Sequence, residues 1–247
     1  MDRIYRNFMG IFGKKVPFKN TLNIYFRQQI KFEDDKNLAT MLGMLFGEVK
    51  KYEVFVTPLF DGFIGDAGFT PDLDERKSVI SQLLNGLQQL KDAKKCHNDL
   101  KPSNVLYRKT NNSYSIRIAD FGQCGGRGGT PGWSAPIFSQ ERQPGKEDMF
   151  SVGWIILRVL SVNQNIFYCM RDNFVSDTTE PWMAKFRSLP EIELVLKMIN
   201  IGNQPTVEEV INEWNQISSK VTLIVRSKLV GLGVPRSYLQ TQYFHSE

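Results

Sequence analysis

The stretch "CHNDLKPSNVLY", residues 96–107, sets His97, Asn98, Asp99, Lys101 and Asn104 around Pro102, directly after a strongly apolar helical pattern. Taken alone, these residues fit two readings. Asp, Pro and Asn favour turns, because Pro presets φ and short polar side chains bond their own backbone. The same carboxylate and amide oxygens also suit a hard metal ion, and an ammonium suits phosphate. The flanking chain decides between them.

Upstream, Asp72 and Glu75 have the spacing of a capping pair. Val79, Ile80, Leu83, Leu84, Leu87 and Leu90 then form one helical stripe. Downstream, "VLYRK" and "YSIRIA" flank "TNNS" and read as a small hairpin. "MFSVGWIILRVL", 149–160, is apolar almost all round, which predicts a helix buried on every side. Helices are also predicted over 191–201 and 206–217. Before residue 70 the pattern changes. "TLNIYFRQQIKF", 21–32, alternates as a strand does, whereas Leu38, Met41, Leu42, Leu45 and Val49 share a helical face. "EVFVTPLF", 53–60, reads as a strand stopped by Pro58, and the glycine-rich "DGFIGDAGFTP", 61–71, as a hinge. Strands with one helix first and mostly helices after predict an α+β, two-lobed layout.

Composition narrows the class. The 247 residues, 41% hydrophobic and 23% charged, are enough for a globular core. Three widely spaced cysteines without a C-x-x-C pair, and only two histidines, argue for free thiols in a reducing compartment and against structural zinc. The longest apolar run is too short to span a bilayer and contains Arg158, and no secretory signal is apparent. The expectation is an intracellular protein, cytoplasmic or nuclear, with no membrane partner. Net charge is +5, and residues 1–31 carry seven basic side chains against Asp2 alone. A solvated basic face and a region that attracts phosphate both remain open. Aromatics are not interleaved with that charge, so no nucleic-acid partner is expected.

The motifs converge on one family. "HNDLKPSN" resembles the catalytic loop H-R-D-L-K-x-x-N of eukaryotic-type protein kinases. Sixteen residues after Asn104 comes "DFG", 120–122. "GTPGWSAPI", 129–137, resembles the substrate-facing segment that ends in A-P-E. "DMFSVG", 148–153, resembles the start of the large buried helix, and "QPTVEEVI", 204–211, the segment near the domain end. Five such motifs in the family's order exceed chance, and they cover roughly residues 70–215.

The resemblance implies a bilobal kinase-like fold with a small β-rich N-lobe and a larger, mainly helical C-lobe. It implies ATP and Mg²⁺ as cofactors and a protein serine or threonine as acceptor. Asp99 would orient the acceptor hydroxyl and take its proton, and Lys101 would contact the transferring phosphate. Thr130 would link the substrate-facing loop to Asp99. Asn104 and Asp120 would hold magnesium. Asp148 reads as a helix N-cap, which by resemblance also bonds the catalytic-loop backbone. His97 reads as a packed structural residue. The expected division is a reduced N-lobe over 1–60, a C-lobe over 61–217, and a C-terminal extension over 218–247 that docks back or engages a regulatory protein partner.

Departures from the family pattern come in pairs. Asn98 stands where the family has an arginine that often pairs with a phosphorylated activation segment. That segment, Asp120 to Ile137, offers no hydroxyl besides Thr130 and Ser134. Together these imply a kinase that needs no phosphorylation of its own segment. Likewise Ile137 and Gln204 stand where the family has a buried glutamate–arginine pair, and joint loss of both partners strands no charge.

The N-lobe departs most. "GIFGKKV", 10–16, keeps Gly10 and Gly13 of a phosphate-approaching loop, with Phe8 in place of the first glycine. An ordinary glycine turn remains the other reading. Lys31 resembles the strand lysine that pairs phosphates, with Lys14, Lys15 and Lys19 as alternatives; its partner would be Glu48, or Glu33. The short distance from Glu48 to Leu59 implies a lobe lacking a strand. Three functions follow: a compact serine/threonine kinase, a catalytically weak kinase-like binding module or decoy, and another nucleotide transfer on the same fold.

Overall fold

Helix α1, Leu73–Asp92, starts where its end groups find partners. Asp72 accepts from the Glu75 amide at 2.9 Å, and Glu75 accepts from the Asp72 amide at 2.8 Å. This closed pair satisfies donors that a helix start otherwise leaves orphaned. The predicted stripe from Val79 to Leu90 is fully buried, and each such side chain contributes about 1.5–3 kcal/mol. The computed structural model describes residues 43–45, 54–56, 59–110, 113–124, 126, 129–135, 146–161, 167–168, 171, 181–224 and 226–234.

Within these residues the elements after α1 are mostly helical. Short strands β1 (Gly43–Leu45) and β2 (Val54–Val56) pair antiparallel. A second antiparallel sheet runs β3 (Gly62–Phe63), β4 (Val105–Thr110) and β5 (Ser113–Ile118), with β4 in the centre. The β4–β5 pair is the expected hairpin, in register from Val105 with Ile118 to Thr110 with Ser113. Then come α2 (Lys146–Leu160), α3 (Pro181–Arg187), α4 (Pro190–Ile199), α5 (Val207–Ile217) and α6 (Arg226–Gly231). The α+β expectation holds.

Two local readings change. Gly43–Leu45 is a strand, although Leu42 and Leu45 sit at helical spacing. Gly43 is a weak helix former, and pairing with the Val-Phe-Val run overrides the local pattern. The glycine-rich 61–71 segment is a built turn: Asp66 accepts amide bonds from Phe63, Gly68 and Phe69, all at 2.9 Å, and β3 joins the sheet.

Helix α2 is the buried centre. Met149, Val152, Trp154, Ile155, Ile156, Leu157, Val159 and Leu160 are all interior. Its Gly153 allows close packing, because a Cβ there would lie 3.0 Å from Ile199 and 3.1 Å from Met198 on α4, and those side chains would have to give by a few tenths of an ångström. Arg76 of α1 donates to the carbonyls of Val159 and Ser161 at the end of α2, where the helix dipole favours a cation. Burial first, and then the Arg158 charge, pulls its guanidinium below the ordinary value. Past α5 the chain stays in the same core through Val221, Ile224, Leu229 and Val234. The Ile224 amide bonds Leu160, and Lys228 reaches the buried Glu191 carboxylate at 2.8 Å. No helix among the described residues is long and apolar enough to cross a membrane.

Candidate active site

Between α1 and β4 the chain makes a loop whose backbone is held from below by α2. The Asp148 carboxylate accepts from the amides of His97 at 2.7 Å and Asn98 at 2.9 Å. Asp148 is therefore a strut inside the first turn of α2. His97, fully buried, bonds the Ala119 carbonyl through Nε2 at 2.8 Å, and its Nδ1 accepts from the Asp99 amide at 3.3 Å. Those partners define one neutral tautomer, with the proton on Nε2. The imidazole also packs on Phe121, ring centres 5.1 Å apart. As expected from the sequence, it is a packed structural residue.

This platform presents Asp99. Thr130 donates to Asp99 Oδ1 at 2.6 Å, and Lys101 Nζ bonds both Asp99 Oδ2 at 3.0 Å and Thr130 Oγ1 at 2.8 Å. Asn104 closes the ring, its amide nitrogen donating to the Asp99 carbonyl at 2.7 Å and to Oδ2 at 3.3 Å. A carboxylate offers about four acceptor positions, and the described residues use three, which leaves one on Oδ1 among them. The Asp99 side chain is 12% exposed, so the carboxylate is shielded without being sealed off. The three residues assigned to catalysis in the sequence, Asp99, Lys101 and Thr130, thus converge.

The short 3₁₀ turn Pro102–Asn104 carries Asn104 into β4, and the Asn104 carbonyl accepts from the Ala119 amide at 2.9 Å. This bond holds the end of β5 against the loop. Asp120 follows with φ of 64°, a left-handed conformation that Asp tolerates better than most residues, and turns the chain into Phe121–Gln123. Among the described residues its carboxylate accepts a long 3.4 Å bond from the Gly122 amide.

Asn104 and Asp120 offer oxygens, the donor type that suits a hard divalent cation. With its nitrogen committed to Asp99, Asn104 has its amide oxygen left to offer, and Asp120 adds a carboxylate oxygen. Among the described residues no group of three or more His, Cys, Asp or Glu side chains could cage a metal. Lys31, Glu48, Gly10 and Gly13, assigned to the nucleotide from the sequence, lie outside the described residues. So does Ile137. Its paired departure Gln204 donates to the Met198 carbonyl at 2.6 Å.

Comparison with known proteins agrees with this geometry. A family model described as protein kinase domain matches residues 53–230, well over half of the chain. The chain belongs to the protein kinase domain family. The expected bilobal kinase fold is therefore borne out at the level of family and class. The kinase domain is 36% identical to serine/threonine-protein kinase ATG1c of Arabidopsis thaliana, over 34% of this chain and 13% of that one. It is 31% identical to calcium/calmodulin-dependent protein kinase type 1 of Caenorhabditis briggsae, over 44% of this chain and 33% of that one. It is also 31% identical to calcium/calmodulin-dependent protein kinase type IV of Mus musculus, over 59% and 37%. The matched regions span only about one eighth to just over one third of those relatives.

Sequence reasoning missed the part played by Asn98, noting only that an arginine was absent. Its side-chain amide donates to the carbonyls of Gln123 at 3.0 Å, Cys96 at 3.3 Å and Gly126 at 3.4 Å. At Asn98 φ is 67°, and Asn is among the few non-glycine residues that adopt it readily.

Proposed function

We propose that this kinase domain transfers the γ-phosphoryl group of ATP to a serine or threonine hydroxyl of a protein. One observation carries the reading: Lys101 bridges Asp99 and Thr130 while Thr130 itself donates to Asp99. That closed triangle orients a carboxylate and places an ammonium beside it, the pairing that in-line phosphoryl transfer needs. The unused acceptor position on Asp99 Oδ1 receives the acceptor hydroxyl and then its proton. Lys101 neutralises charge gathering on the transferred group. Asn104 and Asp120 would hold magnesium, which when bound screens the charge of the phosphates. Fixed in advance, these groups need little rearrangement during the reaction.

The domain works without phosphorylation of its own activation segment. Thr130 is engaged with Asp99, and the Ser134 oxygen is buried, so neither hydroxyl is presented for modification. The reading extends to a protein substrate and to an intracellular setting.

Transfer of label from γ-labelled ATP to a protein or peptide acceptor tests the assignment. Asp99→Asn and Asp120→Ala are expected to lose about 10²–10⁴ in rate. Phosphatase treatment of the wild type should leave its activity unchanged. Label arriving only from α-labelled nucleotide would replace phosphoryl by nucleotidyl transfer. No labelling, with no thermal shift by magnesium and ATP, would leave a binding module.

A further inference from the structure

We infer that Asn98 is a positioning residue: its carboxamide ties the activation segment to the catalytic loop directly, with no charge on either side. The inference deepens the kinase reading and rests on it for its consequence on rate; the tie itself stands on geometry.

Three features support it. Asn98 is buried, 9% exposed, and its backbone is already immobilised by the Asp148 carboxylate. From that fixed point the side-chain nitrogen reaches two carbonyls of the segment after Asp120, those of Gln123 and Gly126, as well as the local Cys96 carbonyl. Every partner is an acceptor. The NH₂ group must therefore face them, since a flipped amide would oppose oxygen to oxygen.

The segment also packs against the loop at Gly129. A Cβ at Gly129 would lie 3.2 Å from the Asn98 carbonyl and 2.3 Å from Ser134 Oγ. One residue later Thr130 bonds Asp99. Loop and segment are thus joined at Gln123 and Gly126, packed at Gly129 and joined again at Thr130.

Polarity is what distinguishes this device. An arginine in place of Asn98 would offer a positive charge that waits for an anion. A short amide finds its acceptors in the backbone itself, so the contact forms whenever the chain folds. It fixes the first part of the segment, and Thr130 fixes it again within the substrate-facing stretch that starts at Gly129.

Two variants test the tie while respecting the left-handed backbone. Asn98→Gly keeps that conformation freely and removes the amide; Asn98→Asp keeps the shape and turns a carboxylate toward three carbonyls. Hydrogen exchange of the full chain is read at the amides of 121–134, with Lys146–Leu160 and Val207–Ile217 as internal references. We expect exchange in 121–134 to rise about fivefold to tenfold in both variants, with the two helices unchanged. In the same variants kcat for a peptide acceptor should fall about tenfold, while KM for ATP stays within about twofold.

Exchange that stays at wild-type level in 121–134, or that rises equally in both helices, would overturn the tie. Locally raised exchange with unchanged kcat would overturn the positioning role. If the wild type transfers no phosphate yet its variants exchange faster only in 121–134, the tie stands and the enzymatic reading falls.

Discussion

Helix α1 and the catalytic loop that follows it are consecutive in the chain and are held by opposite means. The helix is held by six fully apolar side chains in one stripe. The loop buries Leu100 in the core and is otherwise held by polar atoms: Asp148 under two amides, His97 between Ala119 and Asp99, Asn98 against three carbonyls. Apolar packing sums many small contacts and tolerates repacking. A buried polar network depends on every partner being present, because one missing acceptor strands a donor. The loop is consequently the element more brittle towards mutation.

Asp148→Ala should expose that contrast most sharply. Two buried amides would lose their acceptor, at about 1–3 kcal/mol each. Urea unfolding is expected to show this loss, and any measured phosphoryl transfer should fall further than stability alone explains. Leu87→Ala in α1 is the matched apolar change, costing about 2–5 kcal/mol through transfer and cavity. Here the folded fraction should keep its activity per molecule. If both variants lose activity in proportion to stability, the distinction between the two regions fails.

The contrast also explains what could be read from the sequence. The α1 stripe was legible because a period near 3.6 is written into side-chain polarity, and the Asp72–Glu75 cap because its partners lie three residues apart. Asp99, Lys101, Asn104, Asp120 and Thr130 were legible through spaced motifs, and the structure gathers all but Asp120 into one set of hydrogen bonds around Asp99. Asn98 was not. Its acceptors at Gln123 and Gly126 are backbone carbonyls 25 and 28 residues away, and a carbonyl leaves no mark on composition. The strand at Gly43–Leu45 was missed for a related reason: its partner at Val54–Val56 is non-local, and the helical spacing nearby was the stronger local cue.

A smaller change sharpens the comparison at the edge of the apolar region. Asp72→Ala removes the acceptor for the Glu75 amide at the start of α1 and should cost about 1 kcal/mol by thermal unfolding. Asp72→Asn keeps an oxygen and should recover most of it. Equal losses in both variants would show that charge at the helix start, not the hydrogen bond, does the stabilising.

The smallest effect lies where α1 meets α5 on the surface. Glu208 is held down to about 2, chiefly by the hydrogen bond from Lys91, then by its own helix-start amide and by Gln88 at 3.0 Å. A carboxyl whose folded value lies below its ordinary 4.5 stabilises the fold above that ordinary value, and loses the contribution as pH falls through about 2. The melting temperature of Glu208→Gln should therefore trail the wild type slightly at neutral pH and converge with it as pH drops from about 4.5 towards 2. The pair is half exposed, so added salt should shrink the neutral-pH difference as well. A gap that persists at pH 2, or that ignores salt, would mean the side chain acts through packing, as the interior face of α1 does.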